Sequence, residues 1–266
     1  MCSRWSAARI LQGNGLGVAM MGHGRDVRLP SRHRELYPYS PYLESEWAEV
    51  PGLQAQATRN LEALARHDLP MLVSTPDLLD DLPTAQWCPV VVDPSRWKSD
   101  VLPLERDRPV VVHAPTSANF KGSMQIDPVM QELHDRGVIE YRRIRGVPAA
   151  QMPALIGDAD IVLEQFRLGS YGVTACESMA AGRIVVGHIA DHVRARVHDV
   201  AGTDLPIIEG TIDNIAEVVQ SILDDPDRAR EQARAGVGFV NDLHDGRRSA
   251  AAIGRTFGWG PATHEA

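Results

Sequence analysis

The sequence predicts an α/β protein with one complete Rossmann-like domain, a parallel sheet with helices on both faces, and part of a second such domain toward the N-terminus. Three observations carry that expectation. From about Met71 onward, short β-branched runs alternate with longer stretches of helical periodicity, the pattern of strands joined by crossover helices. Several runs are apolar at every residue, as strands covered on both faces are. Glycines gather where a strand gives way to a helix, above all in GSYG, Gly169 to Gly172, the position at which such sheets hold their ligands.

In chain order, the glycines of GNGLG, Gly13 to Gly17, miss the dinucleotide-binding spacing and follow no strand, so they read as a turn. Residues 24–51 contain four prolines and little periodicity, which predicts a loop-rich segment. Strands are expected over residues 70–74, 89–93, 109–114, 138–143, 160–165, 183–188 and 205–209. Ile126, Val129, Met130 and Leu133 form one apolar helical face, with Pro128 setting the helix start between Ser123 and Asp127. A second helix carries Ile212, Ile215, Ala216 and Val219, with Thr211 as its N-cap. The span from Asp227 to about Phe257 reads as helix broken near Gly236, Gly238 and His244 to Gly246. A domain boundary is expected between residues 83 and 108, giving 1–84 as a partial domain, 85–257 as a complete one and 258–266 as a tail.

Composition narrows the function classes. The 266 residues carry a formal net charge of −8, with 44% hydrophobic and 23% charged residues, values of an ordinary globular chain. That balance argues against nucleic-acid binding, which needs a clustered basic face. No apolar run reaches the roughly 18 residues that span a bilayer, and the N-terminus lacks a signal-peptide core, so a cytoplasmic location is expected, with peripheral membrane contact left open. Cys2, Cys88 and Cys176 stand far apart and form no metal-ligand or disulfide pattern.

The chemistry points to two segments. In GSYGVTACESMAAG a helix opens at Gly172 or Val173, and its unpaired amides suit phosphate, with Gly172 placed to touch a diphosphate through its backbone. Glu177 then lies one turn in, able to accept two hydrogen bonds from vicinal hydroxyls such as those of a ribose; an ordinary first-turn acid favoured by the helix dipole is the competing reading. In HAPTSANFKG a strand ends at His113, and Lys121 precedes a helix where its ammonium could neutralise phosphate. Asp158-Ala159-Asp160 spells a D-x-D metal triplet, but a helix-ending and a strand-leading aspartate account for it better. Cys176 has no base beside it and reads as a small buried residue.

These segments together, VVVHAPTSANFKGS, RGVPAAQMPALIGDADIVLEQ and GSYGVTACESMAAGRIVVG, resemble the C-terminal, donor-binding half of a GT-B glycosyltransferase of the family 4 type, over about Ala85 to Phe257. HGRDVRLPSRHRELYPYSPY, from His23 to Tyr42, is similar to the end of that family's acceptor-side domain. The resemblance implies transfer of a sugar from a nucleotide-diphosphate donor to an acceptor, a saccharide, lipid or small molecule, with retention of configuration and with no metal or other cofactor. Carried over, Glu177 binds the ribose, Lys121 the diphosphate, and the backbone of Ser170, Tyr171, Gly172 and Val173 phosphate or sugar hydroxyls. Arg145, Gly146 and Val147 fall where the base packs, and His23 matches a histidine that reaches the transferred hexose. The family's other donor-site glutamate falls at Gly169, and its phosphate-binding arginine is missing, with Arg167 or Arg143 as substitutes. The Gly-rich start of the acceptor domain is also absent. Two alternatives follow: a truncated, non-catalytic nucleotide-sugar-binding protein, or a sugar-nucleotide epimerase of the same architecture.

Overall fold

The computed structural model describes residues 4–44, 47–67 and 69–259. The chain runs through α1 (Arg4–Gly13), β1 (Met20–Gly22), α2 (Gly24–Val27), α3 (Pro30–Leu36), α4 (Val50–His67), β2 (Met71–Val73) and β3 (Gln86–Trp87). It continues through β4 (Val110–His113), α5 (Ala118–Lys121), α6 (Ser123–Asp135), β5 (Glu140–Arg143), α7 (Met152–Gly157), β6 (Ile161–Leu163) and α8 (Val173–Ala180). The remaining elements are β7 (Ile184–Gly187), α9 (Asp191–Ala201), β8 (Ile208–Glu209), α10 (Ile215–Asp224), α11 (Pro226–Leu243) and α12 (Arg247–Thr256). Among the described residues no helix is long and apolar enough to cross a membrane.

The described residues fall into two compact units, one holding residues up to Leu36, Tyr42–Val90 and those from Gly246 onward, the other Tyr37–Pro41 and Val91–Asp245. This cuts the chain elsewhere than at the expected 84/85, and packing gives the reason. In the first unit Ala252 of α12 forms a buried cluster with Leu72 and Cys88, and Ser249 Oγ donates to the Pro89 carbonyl at 2.6 Å. Helix α12 therefore belongs with β2 and β3, although the sequence assigned it to the C-terminal domain. Of the expected tail, residues 260–266 lie outside the described residues.

The first unit is a parallel sheet in the order β1-β2-β3, with Met20 opposite Met71 and Leu72 opposite Gln86. Residues 24–51, expected as loop, hold the short helices α2 and α3, which the prolines start or flank rather than forbid. Arg28 and Asp77 form a buried ion pair beneath them.

The second unit is a five-stranded parallel sheet in the order β5-β4-β6-β7-β8. The chain leaves β4 to one side for β5 and returns to its other side for β6, so the carboxyl ends of β4 and β6 flank a topological switch point. Val111, Ile161, Leu163, Ile184 and Val186 are buried with Ile126, Met130 and Leu133 of α6 and Val219 and Ile222 of α10.

Three local expectations are corrected. PVVVD is no strand: Pro89 has no amide to give, and Val92 N–H bonds the His244 carbonyl at 2.9 Å rather than a neighbouring strand. Helix α10 starts at Ile215 with Asn214 before it, because Thr211 folds into a turn in which its own amide and hydroxyl donate to Asn214 Oδ1 at 2.7 and 3.0 Å. The start of helix α6 is not among them: at Ser123, after Gly122 at φ +76°, it falls within the expected range, with Pro128 inside the helix. Helix α11 runs unbroken through Gly236 and Gly238; a Cβ at Gly236 would stand 3.1 Å from Met179 on α8, so this glycine permits close helix packing rather than a break.

Candidate functional site

Within the second unit, the chain after β4, β5 and β6 opens a cleft of about 730 Å³ whose lining includes Arg96, Trp97, Arg145, Val147, Val173 and Glu177. Helix α8 begins at Val173, with Gly172 as its N-cap in extended backbone, φ −129° and ψ −164°. A glycine brings no side chain to cap the first amides of the helix. Val173 is 48% exposed at that opening.

Glu177 stands one turn further along, half-buried and on the cleft wall. Burial pushes its carboxyl up to about 7, against the opposing pull of the Arg96 and Lys121 charges. Helix α8 has no acid in its first turn, so Glu177 is not the first-turn acid of the competing reading.

The other expected residues divide. Arg145, Gly146 and Val147 lie on the cleft lining with Glu177. Lys121 is buried, and its Nζ donates to Glu164 Oε1, while Glu164 Oε2 has no hydrogen-bond partner among the described residues. Next to this pair His113 is held by the Leu163 carbonyl and Ser123 Oγ, each at 2.9 Å, and burial lowers its pKa to about 4. Since the carbonyl only accepts, Nδ1 carries the proton and Nε2 accepts from the serine.

Tyr171 is a core side chain, its hydroxyl 3.1 Å from His244 Nε2. Ser170 is buried as well, with its carbonyl taken by Gln165 Nε2. Gly169 has φ +62°, and a Cβ there would run into the Tyr37 ring, so the glutamate of the resembling family has no room at this position. Tyr37 belongs to the five-residue strap Tyr37–Pro41; its hydroxyl lies 3.0 Å from His192 Nε2.

Neither substitute arginine is free for phosphate. Arg167 donates to the strap carbonyls of Tyr39 at 2.8 Å and Ser40 at 3.0 Å, and Arg143 pairs with Asp127. The D-x-D triplet is structural: Asp158 caps α7 and pairs with Arg106 and Arg142, while Asp160 accepts the Val110 and Leu104 amides, each at 2.6 Å. Among the described residues no group of three or more His, Cys, Asp or Glu side chains could hold a metal ion. Cys176 is buried, as its small size suggested. His23 sits in the first unit as the residue before α2, its Nδ1 3.1 Å from Ser74 Oγ.

Sequence reasoning missed Arg96, Trp97 and Glu164. Reading PVVVD as a strand hid the turn Pro94–Arg96, although Asp-Pro-Ser is the signature of a capped turn and Asp93 indeed accepts from Ser95 N at 3.0 Å.

The sequence matches no family model and no curated protein. Solved structures do resemble the fold. Sucrose-phosphate synthase from Thermosynechococcus elongatus superposes with a TM-score of 0.61 at 15% identity over 95% of this chain and 71% of that one. Anabaena HepE in complex with UDP-glucose gives 0.61 at 10% identity over 95% of this chain and 75% of its own. WaaG, a glycosyltransferase involved in lipopolysaccharide biosynthesis, gives 0.53 at 13% identity over 95% and 81%. At these identities the likeness is one of fold, and the chain has the α/β, GT-B-like glycosyltransferase fold expected from its sequence.

Proposed function

We propose that the chain is a glycosyltransferase that takes a sugar from a nucleotide-diphosphate donor and passes it to an acceptor hydroxyl, with retention of configuration and without a metal. The observation that carries this reading is Glu177: a half-buried carboxylate one turn into a glycine-capped helix, on a cleft at the carboxyl ends of parallel strands. Its two oxygens suit the vicinal hydroxyls of a ribose, and Arg145, Gly146 and Val147 on the same lining suit a stacked base. A solved structure of similar fold holds UDP-glucose, which supports the donor class.

The chemistry then rests on charge and position. As the bond from the sugar C1 to the diphosphate oxygen breaks, negative charge collects on the leaving group, and the amides at the start of α8 favour that charge as it develops. The acceptor oxygen bonds to C1 from the face being vacated, and its proton passes to the departing phosphate. The structural roles of Asp158 and Asp160 support a reaction that does not use them as metal ligands.

The test is calorimetric binding of uridine, guanosine, adenosine and thymidine diphosphates, followed by release of the bound species from its UDP-, GDP-, ADP- or TDP-sugar in the presence of saccharide and lipid acceptors. One diphosphate should bind, and Glu177→Ala should weaken it at least about tenfold. Failure of all four to bind, or unchanged affinity in Glu177→Ala, refutes the reading.

A further inference from the structure

The cations around the switch point can be sorted by what each already holds. Lys121 is buried against Glu164, whose charge cancels its own before any ligand arrives. Arg167 is spent on the strap carbonyls and Arg143 on Asp127. Arg96 and Arg145 differ: both are exposed, both line the cleft, and neither side chain makes a hydrogen bond or ion pair to another described residue.

We propose that Arg96, rather than Lys121, binds the phosphate groups of the ligand in this cleft. The assignment rests on the nucleotide-diphosphate reading above. Arg96 ends the turn Pro94–Arg96, which Asp93 fixes by accepting from Ser95 N at 3.0 Å and Ser95 Oγ at 2.7 Å. Its backbone is thus anchored while its guanidinium stays free to reach. The cleft lining brings Arg96 together with Val173 and Thr174, the first turn of α8, so its charge and the helix end act on one space. Its field, together with that of Lys121, also reaches Glu177, where both oppose the upward pull of burial on the carboxyl. Arg145 follows β5 instead, and its field is felt at His113 and Tyr141. A guanidinium offers a planar fork of donors that matches two phosphate oxygens at once. A cleft that meets phosphate this way takes ligands with a diphosphate and discriminates against the bare nucleoside.

The probes are the nucleoside diphosphate that binds in the functional test and its parent nucleoside, UDP and uridine in the first instance, measured by calorimetry at pH 8. Arg96→Ala should lower UDP affinity about tenfold to a hundredfold and leave uridine within about twofold. Arg96→Lys should recover part of the loss, because it restores the charge but not the fork. Lys121→Met should leave the UDP-to-uridine affinity ratio unchanged, and Arg145→Ala should weaken both ligands together. The affinity of the unaltered chain for UDP should also fall more steeply with added salt than that of Arg96→Ala. Equal loss of both ligands in Arg96→Ala, or full retention of UDP affinity, overturns the assignment, as does a Lys121→Met variant that loses the diphosphate preference. Arg96 is exposed, so its variants stay folded and decide the matter even where Lys121→Met does not. If the unaltered chain binds none of the four diphosphates, the nucleotide reading itself fails, an outcome distinct from a diphosphate that binds without help from Arg96.

Discussion

Nucleotide affinity should rise about tenfold between pH 6 and pH 8, and the rise should belong to Glu177. Burial holds this carboxyl up to about 7, so the free chain carries it mostly protonated at the lower pH and mostly ionised at the higher. With a midpoint there, the ionised fraction goes from about 0.1 at pH 6 to about 0.9 at pH 8. If only the carboxylate accepts from both ribose hydroxyls, affinity follows that fraction, a change of about 1.3 kcal/mol. Stability runs the other way. The folded pKa lies above the ordinary 4.5, so the native state holds more protons than the unfolded state between about 4.5 and 7, and stability from this residue falls as pH rises through that window. A gain in binding therefore cannot be a gain in folding. Calorimetry with the parent nucleoside, across pH 6 to 8 in buffers matched for ionic strength, reads the midpoint directly; the nucleoside avoids titration of the phosphates. Glu177→Gln should bind weakly and without the pH slope, and Arg96→Ala should shift the midpoint upward by removing an opposing positive charge. A flat curve for the unaltered chain, or a slope that survives in Glu177→Gln, refutes the reasoning.

Five further outcomes can be read from stability. Gly236→Ala should destabilise by about 1–2 kcal/mol in urea, because Met179 leaves its methyl only 3.1 Å, whereas Gly238→Ala, with nothing within 4 Å, should stabilise by about 0.5–1 kcal/mol. Gly169→Ala should destabilise by about 2–4 kcal/mol, since it meets both a left-handed backbone and the Tyr37 ring, and equal stability in a thermal melt would disprove the strap contact. Asp160→Asn should lose about 1–3 kcal/mol by weakening the caps on the Val110 and Leu104 amides, while leaving nucleoside affinity unchanged. His113, held neutral with a pKa of about 4, contributes stability that is present above about pH 6.5 and lost as pH falls toward 4; His113→Asn should flatten the acid side of the stability curve.

How much of this was legible depends on the distance over which each feature is decided. Strands β4, β6 and β7 were plain in the sequence because Val110–Val112, Ile161–Leu163 and Ile184–Val186 are buried at every residue, and a run that is apolar on both faces has few other uses. PVVVD has the same composition, yet Val91 is 57% exposed and Val92 is bonded to a carbonyl some 150 residues away, so apolar content alone misled. The start of α8 was legible for a local reason, a glycine before a helical run. Gly169 was not: its conformation is local, but the ring that forbids a side chain there comes from Tyr37, in a strap the sequence assigned to another domain.

Charge shows the same limit more sharply, and it bears on the proposed reaction. A sequence reports which residues are charged and gives little sign of which charges cancel. Lys121 was read as a cation placed to neutralise phosphate, but Glu164, 43 residues further on, follows β6 and accepts from its ammonium. Arg96 drew no reading from the sequence, which took the residues before it as a strand; with that strand absent its turn borders the cleft. Neutralising one cation in the interior while leaving another exposed at the rim changes how a diphosphate would be held. The Lys121 ammonium keeps two further N–H donors, but its charge is already balanced by Glu164, and a phosphate drawn to it would set a second anion beside that buried carboxylate. A solvated guanidinium gives up only water. On that comparison the anchored, exposed arginine is the better phosphate ligand, and the Lys121–Glu164 pair is better suited to tying the end of α5 to the end of β6.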